Sequence, residues 1–137
     1  MQHTTDIRVY YEDTDACGIV YHANFVNFAE RARCELLRHV GHPASQVEEE
    51  FGIMFIIKHI DVNYIAPAKL DDALQVATSV AEMNNSSFKM RQNIRKDGAD
   101  ICKIMITVVC VDMEKVKPVR LPDILRNAFA PYLEEDK

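Results

Sequence analysis

A single long amphipathic segment restricts how this chain can fold. Its apolar residues recur at spacings of three and four while charged residues fill other positions, so the segment is predicted to be a helix with one apolar stripe. The members of that stripe are Phe25, Phe28, Ala29, Ala32, Leu36 and Val40. Gly41 can adopt the left-handed conformation that ends a helix, and Pro43 cannot continue one. A helix with one apolar stripe must bury that stripe against another element of the fold.

Most of the other predicted elements are strands. Ile7–Glu12 alternates apolar and polar residues with a period of two, which predicts a short strand ahead of the helix. Extended chain is predicted again from Ile53 onward, with clear alternation over Lys58–Tyr64 and an end at Pro67. Short turns of the antiparallel kind separate three further predicted strands. These strands are Leu74–Met83, Phe88–Arg95 and Ile101–Asp112.

Two shorter helices complete the predicted pattern. Ser45, followed three residues later by Glu48, is typical of a capping box and predicts a helix that Gly52 ends. After Pro122, a set of apolar residues is predicted to line one side of a C-terminal helix. The set consists of Ile124, Leu125, Ala128, Phe129 and Tyr132.

The order of these elements, a strand, a long helix and then four strands, predicts an α+β fold. One helix cannot cover a five-stranded sheet by itself, but it can lie along the concave face of a sheet that curls round it. The nearly unbroken apolar run at Ile104–Val111 predicts a strand in the interior of the sheet. No linker-like segment interrupts residues 1–137, so they are predicted to form a single domain whose outer sheet face seeks a partner subunit.

Composition excludes several classes of function. The 137 residues include 16 basic and 21 acidic side chains, for a net charge of -5, and the basic residues form no cluster that predicts nucleic-acid binding. The polar N-terminus and short apolar runs predict neither a signal peptide nor membrane insertion, and hence a cytoplasmic protein. The histidines lack metal-ligand spacing and the cysteines lack CxxC pairing, so free thiols and no metal site are expected.

The turn between the first strand and the long helix carries the most informative residues. Asp15 places a carboxylate just ahead of a helix N-terminus, where unpaired backbone N–H groups can hold the oxygen of a polarised carbonyl. Taken alone, an aspartate in such a turn is usually a turn former or a helix cap. The residues around Asp15 decide between these two interpretations.

The run Asp15–Phe25 resembles the active-site motif of the 4-hydroxybenzoyl-CoA thioesterase family. That motif reads Asp-x-x-Gly-(Ile/Val)-Val-aromatic-x-x-x-(Tyr/Phe), and every position is matched. The runs Val9–Asp15, Glu30–Arg33 and Val62–Ala68 are similar to the branch known as the Tol-Pal-associated acyl-CoA thioesterase. The resemblance extends over nearly the whole chain.

The resemblance implies a hotdog fold, in which a five-stranded antiparallel sheet wraps around a long central helix. It also implies a homodimer with two active sites at its interface, often paired into a homotetramer. The implied substrate is an acyl-CoA thioester of lipid metabolism, with an acyl group on acyl carrier protein as a further possibility. No cofactor is implied, because coenzyme A is part of the substrate.

Carried over by position, Asp15 is the catalytic carboxylate and the backbone N–H of His22 is the oxyanion donor, so the imidazole need not be essential. Gly18 permits close approach of chain and substrate. Asp13 falls outside the matched position and is expected to serve the turn or an interface. Cys17 departs from the family, which usually has a small residue there, and adds an oxidisable thiol beside Asp15.

Seven further residues are candidates for substrate binding, and each has a structural alternative. Phe25 can be core, and Tyr64 can be core or line the acyl channel. Glu30 can be a catalytic helper, as the central helix of some hotdog enzymes carries an acid, or a surface ion-pair partner. The remaining candidates are Tyr21, Ser86, Ser87 and Lys89, of which the last three follow a turn where the family often contacts the nucleotide.

Hydrolysis of a short- or medium-chain acyl-CoA, with an aromatic acyl group also open, is the leading hypothesis. A thiol with a pKa of about 8.5 leaves readily, so a carboxylate and one amide suffice without a complete triad. One alternative is a noncatalytic module that binds acyl-CoA or acyl carrier protein. Another is a hotdog dehydratase, which typically pairs a histidine with an acid and fits the Asp15 motif less well.

Overall fold

Three helices and one five-stranded sheet form the part of the chain that the computed structural model describes, residues 1–135. Single turns of 3-10 helix at Tyr11–Asp13 and Ala130–Tyr132 add to them. None of the helices within these residues is long and apolar enough to cross a bilayer. The elements in chain order are β1 (His3–Arg8), α1 (His22–His39), α2 (Ala44–Phe51), β2 (Ile53–Tyr64), β3 (Ala73–Met83), β4 (Ser87–Lys96), β5 (Ala99–Asp112) and α3 (Asp123–Phe129).

The sheet is antiparallel throughout, with the strand order β1-β3-β4-β5-β2. Short turns join β3 to β4 and β4 to β5, as predicted. The apolar strand β5 lies between β4 and β2, so its predicted interior position is confirmed. The edges of the sheet are the short, polar β1 and the much longer β2. This arrangement is the predicted α+β hotdog fold.

Helix α1 lies against the concave face of the sheet and contacts β1, β3, β4 and β5. The predicted apolar stripe is confirmed, because its members from Phe25 to Leu36 are buried, while Val40 is half-buried. Burial of each large apolar side chain contributes about 1.5–3 kcal/mol to folding. Gly41 ends the helix at φ 94°, and the N–H of His42 returns to the carbonyl of Leu37 at 2.9 Å, so the predicted stop signal is also confirmed.

The predicted boundaries of the first strand are wrong. The strand is His3–Arg8 rather than Ile7–Glu12. The alternating apolar and polar residues after Arg8 lie outside the strand. Tyr10 and Tyr11 are 61% and 81% exposed. The chain turns at this point because the Asp13 carboxylate accepts the backbone N–H of Tyr10 at 2.9 Å.

Two predicted details of the shorter helices are also wrong. Helix α2 begins at Ala44 with Pro43 as its N-cap and no side-chain cap, so Ser45 already lies in the first turn and forms no capping box. Gly52 does end that helix, at φ 66°. In α3, Ile124 is 58% exposed and lies off the buried side, because a helix this short buries only a narrow stripe that includes Leu125.

Candidate active site

A tight turn shapes the loop between β1 and α1. The N–H of Asp15 donates to the carbonyl of Ile19 at 2.9 Å, and the N–H of Gly18 donates to the carbonyl of Asp15 at 3.0 Å. Thr14 and Val20 pair across the base of this turn. Gly18 has φ 78°, a left-handed conformation that favours glycine. The turn therefore presents residues 15–18 at the surface just ahead of the helix.

Asp13 fastens this loop to the first turn of α1. Its backbone carbonyl accepts the N–H of Tyr21 at 2.9 Å and the side-chain amide of Asn24 at 3.0 Å. Asp13 is buried and serves the turn, as expected from its place beside the motif. The role of Asn24 was not predicted from the sequence, although this residue lies within the matched run. A side-chain amide does not reveal in the sequence which carbonyl it will bind. The loop and the helix start form one connected unit.

The Asp15 side chain is exposed and only partly engaged. One carboxylate oxygen, Oδ1, accepts the N–H of Cys17 at 2.8 Å. The other oxygen makes no hydrogen bond to any of residues 1–135. This pairing restrains the orientation of the carboxylate while leaving an oxygen available. The Cys17 thiol is exposed in the same turn.

His22 is the first residue of α1, so its N–H belongs to the group that a helix leaves without an internal partner. No hydrogen bond from this N–H is formed within the described residues. The Tyr64 hydroxyl donates to the His22 carbonyl at 2.8 Å, which ties β2 to the helix start. Burial raises the pKa of Tyr64 above its ordinary value.

Aromatic side chains gather around the start of the helix. The rings of Tyr21 and His22 have centroids 4.5 Å apart, and the His22 ring meets the Tyr64 ring edge-on at 6.2 Å. Phe25 lies 5.8 Å from Tyr64. Four of the predicted site residues therefore form one aromatic cluster, defined as Tyr21, His22, Phe25 and Tyr64.

The other predicted binding residues lie elsewhere in the same chain. Tyr64 pairs with Cys102 of β5, whereas Ser87 pairs with Val109 of that strand. These two positions are seven residues apart on β5, a distance of about 23 Å at about 3.3 Å per residue. Ser86 and Lys89 flank Ser87, and the Lys89 ammonium lies 3.5 Å from a carboxylate oxygen of Glu82. A single chain does not bring this group to Asp15.

Glu30 is also displaced from the aromatic cluster. It lies eight residues after His22 on α1, about 12 Å along the helix axis, and its side chain is exposed. Glu30 lines a cavity of about 270 Å³ between α1, α2 and the sheet, and that cavity includes neither Asp15 nor His22. No group of His, Cys, Asp and Glu in residues 1–135 is placed to hold a metal ion.

A second segment, residues 68–72, supports the loop from behind. Val20 donates its N–H to the carbonyl of Ala68 at 2.8 Å, and Ile19 pairs with Lys69. The Asp72 carboxylate accepts the N–H of Lys69 at 2.8 Å and lies 2.9 Å from the Lys96 ammonium. The hydrogen bond from Lys69 and the contact with Lys96 hold the pKa of Asp72 below its ordinary value.

Known proteins that are similar to this chain are thioesterases. A profile of the thioesterase-like superfamily matches residues 9–129. The chain is 41% identical over 123 residues to the acyl-CoA thioesterase YbgC of Haemophilus influenzae. This alignment covers 90% of each protein. It is 44% identical over 124 residues to the acyl-CoA thioester hydrolase YbgC of Escherichia coli O6:H1, or 90% of this chain and 92% of that protein.

A solved structure shows the same fold. The crystal structure of a probable thioesterase from Bartonella henselae superimposes with a TM-score of 0.85 at 30% sequence identity. The match covers 89% of this chain and 100% of the other. The sheet order and the central helix therefore belong to a shared architecture.

The contact between Asp72 and Lys96 predicts a pH-dependent stability. Because the pKa of Asp72 is lower in the folded state, its contribution to the free energy of unfolding is complete above pH 3.8, the ordinary value. That contribution is lost as the pH falls through the lower pKa of the folded chain. Denaturant unfolding of the wild type, Asp72→Asn, Lys96→Met and the double variant should show coupling at pH 7 that shrinks towards pH 3. A coupling that is equal at both pH values would contradict this assignment.

Proposed function

The chain belongs to the thioesterase-like superfamily, and on that premise we propose that it hydrolyses acyl-CoA thioesters of short or medium chain length to the free acid and coenzyme A. Two relatives that match nine-tenths of the chain are named acyl-CoA thioesterase or thioester hydrolase. The observation that carries the proposal is the exposed Asp15 carboxylate on a loop that leads directly to the free N–H of His22. An aromatic acyl group is compatible with the same site.

The reaction needs a nucleophile at the carbonyl carbon and a hydrogen-bond donor at the carbonyl oxygen. In one route Asp15 attacks the carbon, the C–S bond breaks to release the thiolate, and water hydrolyses the resulting mixed anhydride. In the other route Asp15 removes a proton from water, and the hydroxide attacks and expels the thiolate. In both, the N–H of His22 stabilises the oxyanion, while Gly18 lets the substrate approach the turn. A carboxylate, an amide and water are sufficient for either route.

The proposal includes a homodimer formed through the β2 edges. Within residues 1–135 of one chain, this edge strand has no neighbouring strand on its outer side. Its residues Ile56, Ile57 and Ile60 are all between 38% and 39% exposed. An exposed apolar edge of this length is a surface that proteins normally cover. Pairing of these dimers into a tetramer, and acceptance of acyl groups from acyl carrier protein, remain predictions of the family resemblance.

Antiparallel pairing of two β2 edges explains why the predicted site residues are separated in one chain. Such pairing would bring the Tyr64 end of β2 in one copy towards the Ile53 end of β2 in the other. Ser87 is level with Ile56, because both pair with Val109. The Ser86–Lys89 group of one copy would therefore face the Asp15 loop of the second copy, where the nucleotide of coenzyme A extends from the thioester.

The first prediction concerns the carboxylate. Asp15→Asn keeps an oxygen that can accept the Cys17 N–H, so the turn should persist, but it removes the negative charge that both routes need. We expect kcat for thiol release to fall on the order of 10²- to 10⁴-fold. Asp97→Asn, a matched change at an exposed turn between β4 and β5, should retain wild-type activity.

Product analysis of the same proteins separates the alternatives. Retention of hydrolysis by Asp15→Asn within a few-fold would rule out its assigned role. Binding of acyl-CoA by the wild type without release of thiol would instead favour a noncatalytic module. Formation of an enoyl product would favour a dehydratase.

The second prediction separates the backbone of His22 from its imidazole. Proline is well tolerated as the first residue of a helix and lacks an N–H, and Tyr21 already has the extended ψ of 133° that suits a following proline. His22→Pro should therefore preserve the fold and lower kcat about 10²- to 10³-fold. His22→Ala keeps the N–H and should lose about tenfold or less. The reverse order of the two effects would assign the role to the side chain.

The third prediction tests the dimer. Ile60→Lys puts a charge in the middle of the β2 edge and should shift the protein from dimer towards monomer in sedimentation velocity, with a parallel loss of activity. Thr4→Lys makes the same kind of change on β1, the opposite edge of the sheet, and should leave both properties unchanged. An active Ile60→Lys monomer would contradict the composite site.

A further inference from the structure

Asn24 lies between the two groups that the proposed reaction uses. It is the third residue of α1, after His22 and Ala23, and its side chain is half-buried. Asp15 lies on the loop ahead of the helix, whereas the N–H of His22 belongs to the first turn of the helix itself. Asn24 forms hydrogen bonds to both of these segments, one through its side chain and one through its backbone.

The side chain of Asn24 holds the loop. Its Nδ2 donates to the backbone carbonyl of Asp13 at 3.0 Å, and that carbonyl also accepts the N–H of Tyr21 at 2.9 Å. A carbonyl oxygen has two lone pairs, so two donors restrain it in two directions. Asp13 lies two residues before Asp15 in the chain. The side chain of Asn24 therefore restrains how the Asp15 loop approaches the helix.

The backbone of Asn24 orients the proposed oxyanion donor. Its N–H donates to the carbonyl of Tyr21 at 2.8 Å. The carbonyl of Tyr21 and the N–H of His22 belong to one planar peptide group, so a fixed direction of the carbonyl also fixes the direction of the N–H. The Tyr64 hydroxyl holds the next peptide group, because it donates to the carbonyl of His22 at 2.8 Å. Asn24 thus supports both parts of the site.

Asn27 determines which end of the Asn24 amide faces the loop. The Nδ2 of Asn27 donates to Oδ1 of Asn24 at 2.9 Å, three residues along the same helix. An amide has one oxygen and one NH2 group, so the engaged oxygen leaves the NH2 group to face the carbonyl of Asp13. The hydrogen bonds therefore run in one direction, from Asn27 to Asn24 and from Asn24 to Asp13.

We propose that Asn24 is a positioning residue for thioester hydrolysis, which sets the Asp15 carboxylate and the His22 N–H at the separation that the transition state requires. The inference rests on the proposed thioesterase function. Asn24 does not contact the reacting atoms in this role and acts through Asp13 and the peptide group of His22. Displacement of a reacting group by about 1 Å can cost on the order of 10²-fold in rate, so loss of this side chain should affect kcat far more than binding.

The test removes the donor while keeping the shape of the side chain. Asn24→Leu has the same branching as asparagine and no charge, and it should lower kcat for hydrolysis of hexanoyl-CoA on the order of 10- to 100-fold. Binding is measured by calorimetry with S-hexyl-CoA, a thioether that cannot be hydrolysed. Its Kd should stay within about twofold of the wild-type value, because a positioning residue acts on the transition state rather than on binding.

Variants around Asn24 then assign the effect. Asn24→Ser keeps a shorter donor and should have a kcat between those of the wild type and Asn24→Leu, which also covers the case in which Asn24→Leu does not fold. Asn27→Ala leaves the Asn24 amide in place but removes its orienting partner, so it should lower kcat by less. Added to Asn24→Leu it should have no further effect, because changes within one hydrogen-bond network are not additive.

Two control variants lie away from the loop. Asn127→Leu is the matched change at an exposed position of α3 and should behave as the wild type. Asp100→Ala removes the hydrogen bond from Arg95 at 2.9 Å, which joins β4 to β5, so it should lower stability without lowering kcat. If Asp100→Ala lowered kcat as much as Asn24→Leu, the effect would belong to stability and the inference would fail.

Each failure has its own signature. Retention of wild-type kcat by Asn24→Leu within about twofold, or a loss that appears in Kd rather than in kcat, would overturn the positioning role and leave the thioesterase intact. A wild type that binds S-hexyl-CoA but releases no thiol from any acyl-CoA would contradict the proposed function itself, and the positioning role with it.

Discussion

Burial of one apolar stripe against one curved sheet is the constraint on which the rest of this structure depends. Helix α1 presents Phe28, Ala32 and Leu36 to the sheet, and these side chains are fully buried. The helix cannot rotate without exposing them, so the direction of its axis and the position of its first residue are both determined. The helix start therefore meets the end of β2, where Tyr64 donates to the His22 carbonyl. A catalytic group near that helix start inherits its position from the core.

The loop ahead of the helix is held to the rigid helix start by hydrogen bonds. The backbone carbonyl of Asp13 accepts hydrogen bonds from the helix start, and its carboxylate accepts the N–H of Tyr10. Both ends of the loop are therefore held. The segment behind the loop is secured by Asp72. Among residues 1–135, no hydrogen-bond partner is found for one oxygen of Asp15 or for the N–H of His22. A site of this kind uses backbone geometry more than side-chain identity, which is compatible with a leaving group as good as a thiolate.

The predicted site residues fall into two groups that one chain holds apart. The Asp15 loop lies at one end of the β2 edge, and the Ser86–Lys89 group lies level with the other end. Two copies joined through that edge would combine the two groups.

Elements whose signal is local could be predicted from consecutive residues. The spacing of the α1 stripe, the stop at Gly41 and the turns that separate β3, β4 and β5 depend on neighbours a few residues away, and these predictions agree with the structure. The family resemblance rested on the run around Asp15 in the same way. The folded chain was needed to show that Tyr11 leaves the sheet, that Ser45 caps nothing and that Arg33 donates a hydrogen bond to Gln92, 59 residues away. The physical reason is that periodicity is a property of consecutive residues, whereas burial and hydrogen-bond partnership depend on residues that only the folded chain brings together.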